Sequence, residues 1–471
     1  MDIVERAAGR FGDHPALVAE DKTISFRELE KETSRIAGAL DRQDIRNGKT
    51  AALCMPNSPE LVLLLLALLR TGAVAAPLNH RFPAERLQTM LDSLNPSVLV
   101  GTEVLTEALD FPVRLTPGKI LSEAERATIE PQFNSSTAQQ FNTPVTVIHT
   151  SSSSGVAKAA LHSFGNHYHS ALGSNENLPF CPGDCWLLSL PLFHIGGYAL
   201  LFRSLLGGGA LAAADPGTPT AEALQRFDIT HLSLVPTQLY RLLRNDASRK
   251  RLRRAKAVLL GGSAVEPALL QDAAKAGIPV YLSYGSTEMS SQVATTGGAV
   301  PADAVTAGRV LPYRELSIGA FDEILVKGPC LFRGYLSPDG PRLETGEAGW
   351  FHTGDTGALS PDGELRVTGR MDNMFISGGE NIHPEEIERA LCDIAGIRRA
   401  LVIPAPDSEY GVRPKAFIEA SDDAPGDEDI LSRLRNGIGS IKTPASVNRV
   451  GEWRLLPGTE KIDRAYYLRR R

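Results

Sequence analysis

Side chains able to do chemistry fall at five separated places along the chain. The first is the loop TSSSSGVAK, Thr150 to Lys158, which follows the apolar, β-branched run Val145 to Ile148, read as a buried strand. Thr150, Ser151, Ser153 and Ser154 bring hydroxyls, Gly155 a permissive backbone and Lys158 a point charge. Hydroxyl and N–H donors with a cation, placed just after a strand, suit phosphate oxygens. A serine run before a glycine also reads as a linker, and the spacing is not GxxxxGK[ST]. The second place is YGSTE, Tyr284 to Glu288, with Thr287 and Glu288 also explicable as a capped turn. The third is GWFHTGD, ending in Asp355, a carboxylate that can accept two O–H groups at once or serve a β-turn. The fourth, GRMDNMFISGGENIHPEEIE, runs from Gly369 to Glu388 and carries Arg370, Asp372, Gly378 and Gly379. The fifth is GTEKIDR with Lys461, which taken alone is an exposed surface lysine.

The elements that must hold these residues alternate. Thr23 to Phe26 reads as a strand, and Ser25 with Glu28 forms a capping box for the helix that follows. Ala51 to Pro56 reads as a strand, Ser58 as a cap and Pro59 to Arg70 as a helix; Gly72 to Asn79 and Ser97 to Gly101 are further strands. Trp186 to Gly197 is expected as a strand running into a turn. Ile229 to Leu243 reads as a strand and then a helix begun at Pro236. Lys256 to Gly262 and Pro279 to Gly285 are buried strands ending in glycine turns, and ligands in open α/β sheets sit at such carboxyl ends. From about Ile318 short strands with Gly, Pro and Asp turns imply a small β subdomain. After Met371 the pattern is a compact α+β unit, with a helix over His383 to Ile394.

Composition narrows the classes. The chain has 471 residues, 42% hydrophobic and 22% charged, with a net charge of -6, which fits a soluble globular protein and argues against nucleic-acid binding. The longest apolar run, Leu61 to Leu69, is far short of the ~20 residues that span a bilayer. Stable membrane insertion is therefore not expected, and the N-terminus lacks a signal-peptide core. The five cysteines are scattered without a CxxC pair, so neither zinc nor a disulfide framework is indicated and a cytoplasmic location is expected.

Taken together, the five motifs in this order resemble the adenylate-forming acyl-CoA synthetase family over nearly the whole chain. The loop is similar to the family's TSGSTGxPK, with Ser152 for glycine, Ser154 for threonine and Ala157 for proline. The resemblance implies an α/β fold: a large N-terminal adenylation (AMP-binding) domain of parallel α/β subdomains plus a small β subdomain, residues 1–370. A small mobile α+β C-terminal domain, residues 371–471, would follow. It implies ATP, Mg²⁺ and coenzyme A as cofactor and substrates, with a small carboxylic acid as the remaining partner; a homodimer or higher homo-oligomer is compatible with it. By resemblance the serine loop and Lys158 bind the ATP phosphates and Tyr284, in the Tyr284–Gly285 step, stacks near adenine. Thr287 meets the α-phosphate, Glu288 holds Mg²⁺, Asp355 takes the ribose hydroxyls and Arg370 the ribose or phosphate. A hard carboxylate beside phosphate oxygens is what Mg²⁺ prefers. Asp372 falls at the family hinge, Gly378 and Gly379 at the CoA channel, and Lys461 at the catalytic lysine.

The stretches between motifs, WLLSLPLFHIGGYALLFRSLLGGGAL among them, resemble a branch whose aryl substrate keeps a second carboxylate that is not activated. Such a group in a closed pocket needs a cation or several donors. Arg203, in the apolar LLFRSLL segment, either snorkels to solvent or serves that anion, with Ser290 or Ser291 assisting. His194 resembles the gate beside the acyl pocket, although a hydrogen-bonded core histidine explains it almost equally well. Gly262 and Ser263 are expected to line the acyl and adenine pockets with backbone.

Overall fold

The computed structural model describes residues 2–126, 141–150, 158–263, 265, 267–301, 306–337, 339–377, 380–407, 410–456 and 461–469. Two large sheets carry the first two thirds of the chain. One has nine strands among the described residues, in the order Arg309–Val310, Ser291–Thr295, Val280–Ser286, Ala257–Leu260, His231–Leu234, Cys185–Leu187, Ala210–Ala212, Pro15–Val18 and Thr23–Ser25. The six from Val280–Ser286 to Pro15–Val18 are parallel, and antiparallel strands close both edges. The other has eight, in the order Gly340–Arg342, Gly334–Ser337, Ala159–Ser163, Pro144–His149, Val74–Pro77, Thr50–Cys54, Val98–Gly101 and Arg114–Leu115. A third, antiparallel sheet of four strands (Glu315–Ile318, Glu323–Lys327, Phe351–Leu359 and Leu365–Arg370) is the expected small β unit.

Local chemistry explains the helices between the sheets. Ser25 and Glu28 form the predicted capping box of Phe26–Arg42. In Pro59–Thr71, Ser58 accepts from the Leu61 N–H, proline occupies the first turn, and Gly72 ends the helix in the left-handed region at φ 76°. Every residue from Leu61 to Thr71 is buried, as its uniform apolar sequence requires. Arg70 is reconciled with burial by Asp2, whose carboxylate lies 2.9 Å away, and by Glu30 at 3.0 Å.

One stretch departs from expectation. Trp186 to Gly197 does not run on as a strand: the strand is only Cys185–Leu187, and a helix follows over Ile195–Gly207. That helix is buried on nearly all sides, so it lacks the polar face that would have marked it, and two glycines stand in its first turn. Gly197 is there for space, because a Cβ would meet the Pro191 carbonyl oxygen at 2.2 Å.

The last hundred residues form a three-stranded sheet (Ile397–Asp407, Gly411–Ala420 and Ser446–Arg449) with helices Pro384–Cys392 and Asp427–Ile438. It has its own core, including Ile387, Leu391, Val402, Ile418, Ile430 and Leu434. Its first helix approaches the small β sheet closely. Asn373 donates to Glu385 at 2.6 Å, and a Cβ on Gly369 would lie 2.6 Å from the same carboxylate.

Candidate active site

The serine loop closes a hairpin between Pro144–His149 and Ala159–Ser163. Its two ends are tied, the Thr150 N–H to the Lys158 carbonyl at 2.9 Å and the Lys158 N–H to the Thr150 hydroxyl at 3.3 Å. Ser151, Ser153, Ser154 and Gly155, together with the variant Ser152, lie outside the described residues. Lys158 is exposed, with its ammonium 4.9 Å from the centre of the Tyr335 ring.

A chain of polar groups runs from Tyr284 to Asp372. The Tyr284 hydroxyl donates to one Asp355 oxygen at 2.6 Å, and Arg370 donates to the other at 3.0 Å. A second Arg370 nitrogen reaches Asp372 at 3.0 Å. Burial raises the Asp355 pKa, while the Tyr284 hydroxyl and Arg370 pull it back. Burial and the Asp355 charge push the Tyr284 phenol well above its usual value, so it remains a donor. A carboxylate has about four lone-pair sites, so two further hydroxyls can still be accepted at Asp355.

The Thr287–Glu288 turn is held from below. His162, fully buried, meets the Thr287 carbonyl through Nε2 at 2.8 Å; a carbonyl only accepts, so that nitrogen bears the proton. The Tyr335 hydroxyl donates to Glu288 at 2.5 Å, and the Phe332 N–H donates to the Glu288 carbonyl at 2.7 Å. Gly285 allows the backbone to close here, since a Cβ would sit 2.1 Å from the Ser291 carbonyl oxygen.

Lys461 joins this group from the C-terminal unit. It is solvent-accessible as a residue, yet surrounding protein lowers its pKa, the Arg370 cation lowers it further, and Asp355 opposes both. His194, at the start of Ile195–Gly207, is brought down to about 4 by burial and by the charges of Lys461 and Arg81, so it is neutral at pH 7. Lys461, His194, Asp355 and Arg370 are thus gathered at one place from four segments.

Arg203 lies farther along that helix and is 1% exposed. One nitrogen donates to the Ser291 hydroxyl at 3.2 Å, and the guanidinium sits 5.4 Å from the Trp186 ring centre. Its Nε and Nη1 have no hydrogen-bond partner among the described residues. Burial and the neighbouring Arg314 bring its pKa down to about 9, so it is still charged at neutral pH. Arg314, by contrast, is spent on the carbonyls of Gln292, Pro312 and Ser170. Ser290 turns elsewhere: its hydroxyl donates to the Cys330 carbonyl at 2.9 Å, which leaves Ser291 as the serine at Arg203.

Gly262 and Ser263 follow the carboxyl end of Ala257–Leu260, both exposed, Gly262 at φ 84°. Gly378 and Gly379 lie outside the described residues. Nothing in the sequence alone distinguishes His162, Tyr335 or Trp186 as a site residue. His162 and Tyr335 sit in short strands that pair with each other's neighbours, Tyr335 opposite Ala160, so only the sheet reveals their shared target.

Glu288 offers a hard carboxylate of the kind Mg²⁺ prefers, and its Oε1 accepts from Tyr335. No group of three or more His, Cys, Asp or Glu that could hold a metal ion occurs among the described residues. No described helix is long and apolar enough to cross a membrane.

Comparison with known proteins places the chain in a family. Residues 4–336 match the AMP-binding enzyme family and residues 386–461 the AMP-binding enzyme C-terminal domain. The chain is 33% identical to a 2-succinylbenzoate–CoA ligase of Bacillus cereus, covering 92% of this chain and 91% of that one. It is 35% identical to a 2-succinylbenzoate–CoA ligase of Salmonella typhimurium, covering 91% and 89%. Among solved structures it is similar to the o-succinylbenzoate CoA synthetase (MenE) of Bacillus subtilis in complex with the acyl-adenylate intermediate OSB-AMP, with a TM-score of 0.85, 26% identity and coverage of 99% and 97%. The same Bacillus enzyme in complex with ATP and magnesium ion gives a TM-score of 0.83 at 26% identity, covering 98% of both chains.

Proposed function

The chain belongs to the AMP-binding enzyme family, and from that premise we propose that it joins o-succinylbenzoate to coenzyme A at the expense of ATP. The reaction has two halves: carboxylate and ATP give an acyl adenylate and pyrophosphate, then the CoA thiol displaces AMP to give the thioester. The relatives named above support the acid, and the ligand-bound MenE structures support ATP with Mg²⁺.

The observation that carries the substrate assignment is Arg203. A guanidinium with two unpartnered nitrogens and no facing carboxylate among the described residues is costly to bury. A substrate anion removes that cost. Arg203 stands about 13 Å along the helix from His194 by the rise per residue, and helical side chains lean back toward the N-terminus. In this reading the spectator carboxylate meets Arg203 and Ser291, while the reacting carboxylate lies at the His194 and Lys461 end.

Other roles follow from the family resemblance, and the chemistry of the side chains supports them. Asp355 accepts the ribose hydroxyls while Arg370 steadies it and meets ribose or phosphate. Tyr284 and Gly285 border the adenine, and Gly262 and Ser263 line the acyl and adenine pockets. Thr150, Ser151, Ser153, Ser154, Gly155 and Lys158 hold the ATP phosphates, and Thr287 the α-phosphate. Lys461 bridges the attacking carboxylate and the α-phosphate, a donor aimed at charge as it develops. Glu288 would hold Mg²⁺, which when bound offsets charge on the departing pyrophosphate. His194, neutral, walls the acyl pocket without repelling Lys461. For the second half-reaction we propose that residues 371–471 move as a unit about Asp372, withdrawing Lys461 and bringing Gly378 and Gly379 to the thiol channel.

An AMP-release assay with ATP, Mg²⁺ and CoA tests the assignment. Strong preference for o-succinylbenzoate over benzoate, coumarate, acetate and malonate is expected. Turnover of another acid in preference would retain the two half-reactions and overturn the role given to Arg203.

A further inference from the structure

Glu288 is the carboxylate assigned to Mg²⁺ above, and a lone glutamate side chain is a floppy ligand. The structure supplies a restraint. Tyr335, in Gly334–Ser337, pairs opposite Ala160 in the strand that leaves the phosphate loop. Its hydroxyl lies 2.5 Å from Glu288 Oε1, and the Lys158 ammonium lies 4.9 Å from its ring centre. The ring is itself wedged edge-on against Phe332 at 4.8 Å, and Phe332 in turn donates its N–H to the Glu288 carbonyl. Gly334 locks the strand, at φ 119° and with room for no Cβ, since one would meet the Arg342 carbonyl oxygen at 2.4 Å.

We propose that Tyr335 is a positioning residue for the adenylating site: its O–H fixes one oxygen of Glu288 so that the other faces the metal, and its ring holds Lys158 at a set distance from that carboxylate. This rests on the adenylation reading. A cation on the ring face and an anion at the hydroxyl reinforce one another, so the three groups act as one element. Tyr335 acts through Glu288 and Lys158, the two groups it contacts.

The test is metal binding to the full-length protein, with Mn²⁺ as the probe, followed by electron paramagnetic resonance in the presence of α,β-methylene-ATP. Tyr335→Phe keeps the ring and removes the hydroxyl. Its Kd for Mn²⁺ in the ternary complex is expected to rise five- to tenfold, while affinity for the metal-free nucleotide and the melting temperature stay at wild-type values. In a Glu288→Gln background the same substitution is expected to change the Mn²⁺ Kd less than twofold, because the group it restrains is gone. Unchanged Mn²⁺ affinity in Tyr335→Phe, or an effect of equal size in both backgrounds, would overturn the proposal. Failure of the wild-type protein to bind Mn²⁺ with the nucleotide at all would instead overturn the adenylation reading, and this proposal with it.

Discussion

Charge without a partner is the most informative property at the scale of single residues. Arg203→Leu removes a buried cation along with its anion-binding capacity. Charge-assisted hydrogen bonds contribute about 1.5–3 kcal/mol, so KM for o-succinylbenzoate is expected to rise roughly 10- to 150-fold. Thermal unfolding of the ligand-free protein is expected to hold steady or shift upward, since an uncompensated charge has been replaced by apolar surface. A fall in melting temperature with KM unchanged would mark Arg203 as structural. Lys461 separates the half-reactions. Lys461→Ala is expected to lose about 10²–10³ in adenylate formation, measured as ATP/pyrophosphate exchange, yet to retain thioester formation from preformed acyl adenylate. Equal loss in both would contradict the proposed withdrawal of the lysine. The sequence made Lys461, Asp355, Arg370 and Arg203 visible, because each stands in a motif or breaks an apolar run. It hid Tyr335 and His162, whose targets are reached only through sheet pairing and a backbone carbonyl.

Elements were legible in proportion to their patterning. Ser25 with Glu28, and Ser58 with Pro59, announced the starts of two helices, while Gly72, read as the start of a strand, ends the second of them. Ile195–Gly207 stayed hidden because it is apolar almost throughout and opens with glycines, although it carries both His194 and Arg203. Asp427–Ile438 carries three acidic residues in its first turn, a start signal that the sequence does show. The buried helix makes a test at this scale. Gly197→Ala would push a Cβ against the Pro191 carbonyl, and overpacking of this kind costs about 1–3 kcal/mol. The expected result is a lowered melting temperature together with a raised KM for the acid, since His194 and Arg203 ride on the displaced helix. An altered KM for ATP alone would argue that the helix does not border the acyl pocket.

For the molecule as a whole, buried imidazoles set the response to acid. Burial lowers the pKa of His149 and His194 to about 4, and moves His162 and His167 in the same direction. Each folded-state value lies below the unfolded value near 6.5, so the unfolded chain binds more protons as pH falls. Stability from these groups is intact above pH 6.5 and is lost progressively toward pH 4. Urea unfolding between pH 7.5 and 4.5 should show a steep decline over this window, and a flat profile would mean that the histidines can be solvated in place. The strand order carries a different consequence, for synthesis. Pro15–Val18 finds its parallel neighbour only in Ala210–Ala212, and Ala159–Ser163 waits for Gly334–Ser337. The nine-stranded sheet cannot be completed until some 310 residues have left the ribosome, and the eight-stranded sheet until some 342, roughly 15–70 s at ordinary elongation rates. Throughout that interval the incomplete sheets present unpaired strand edges, which makes the nascent chain a natural client for holding chaperones.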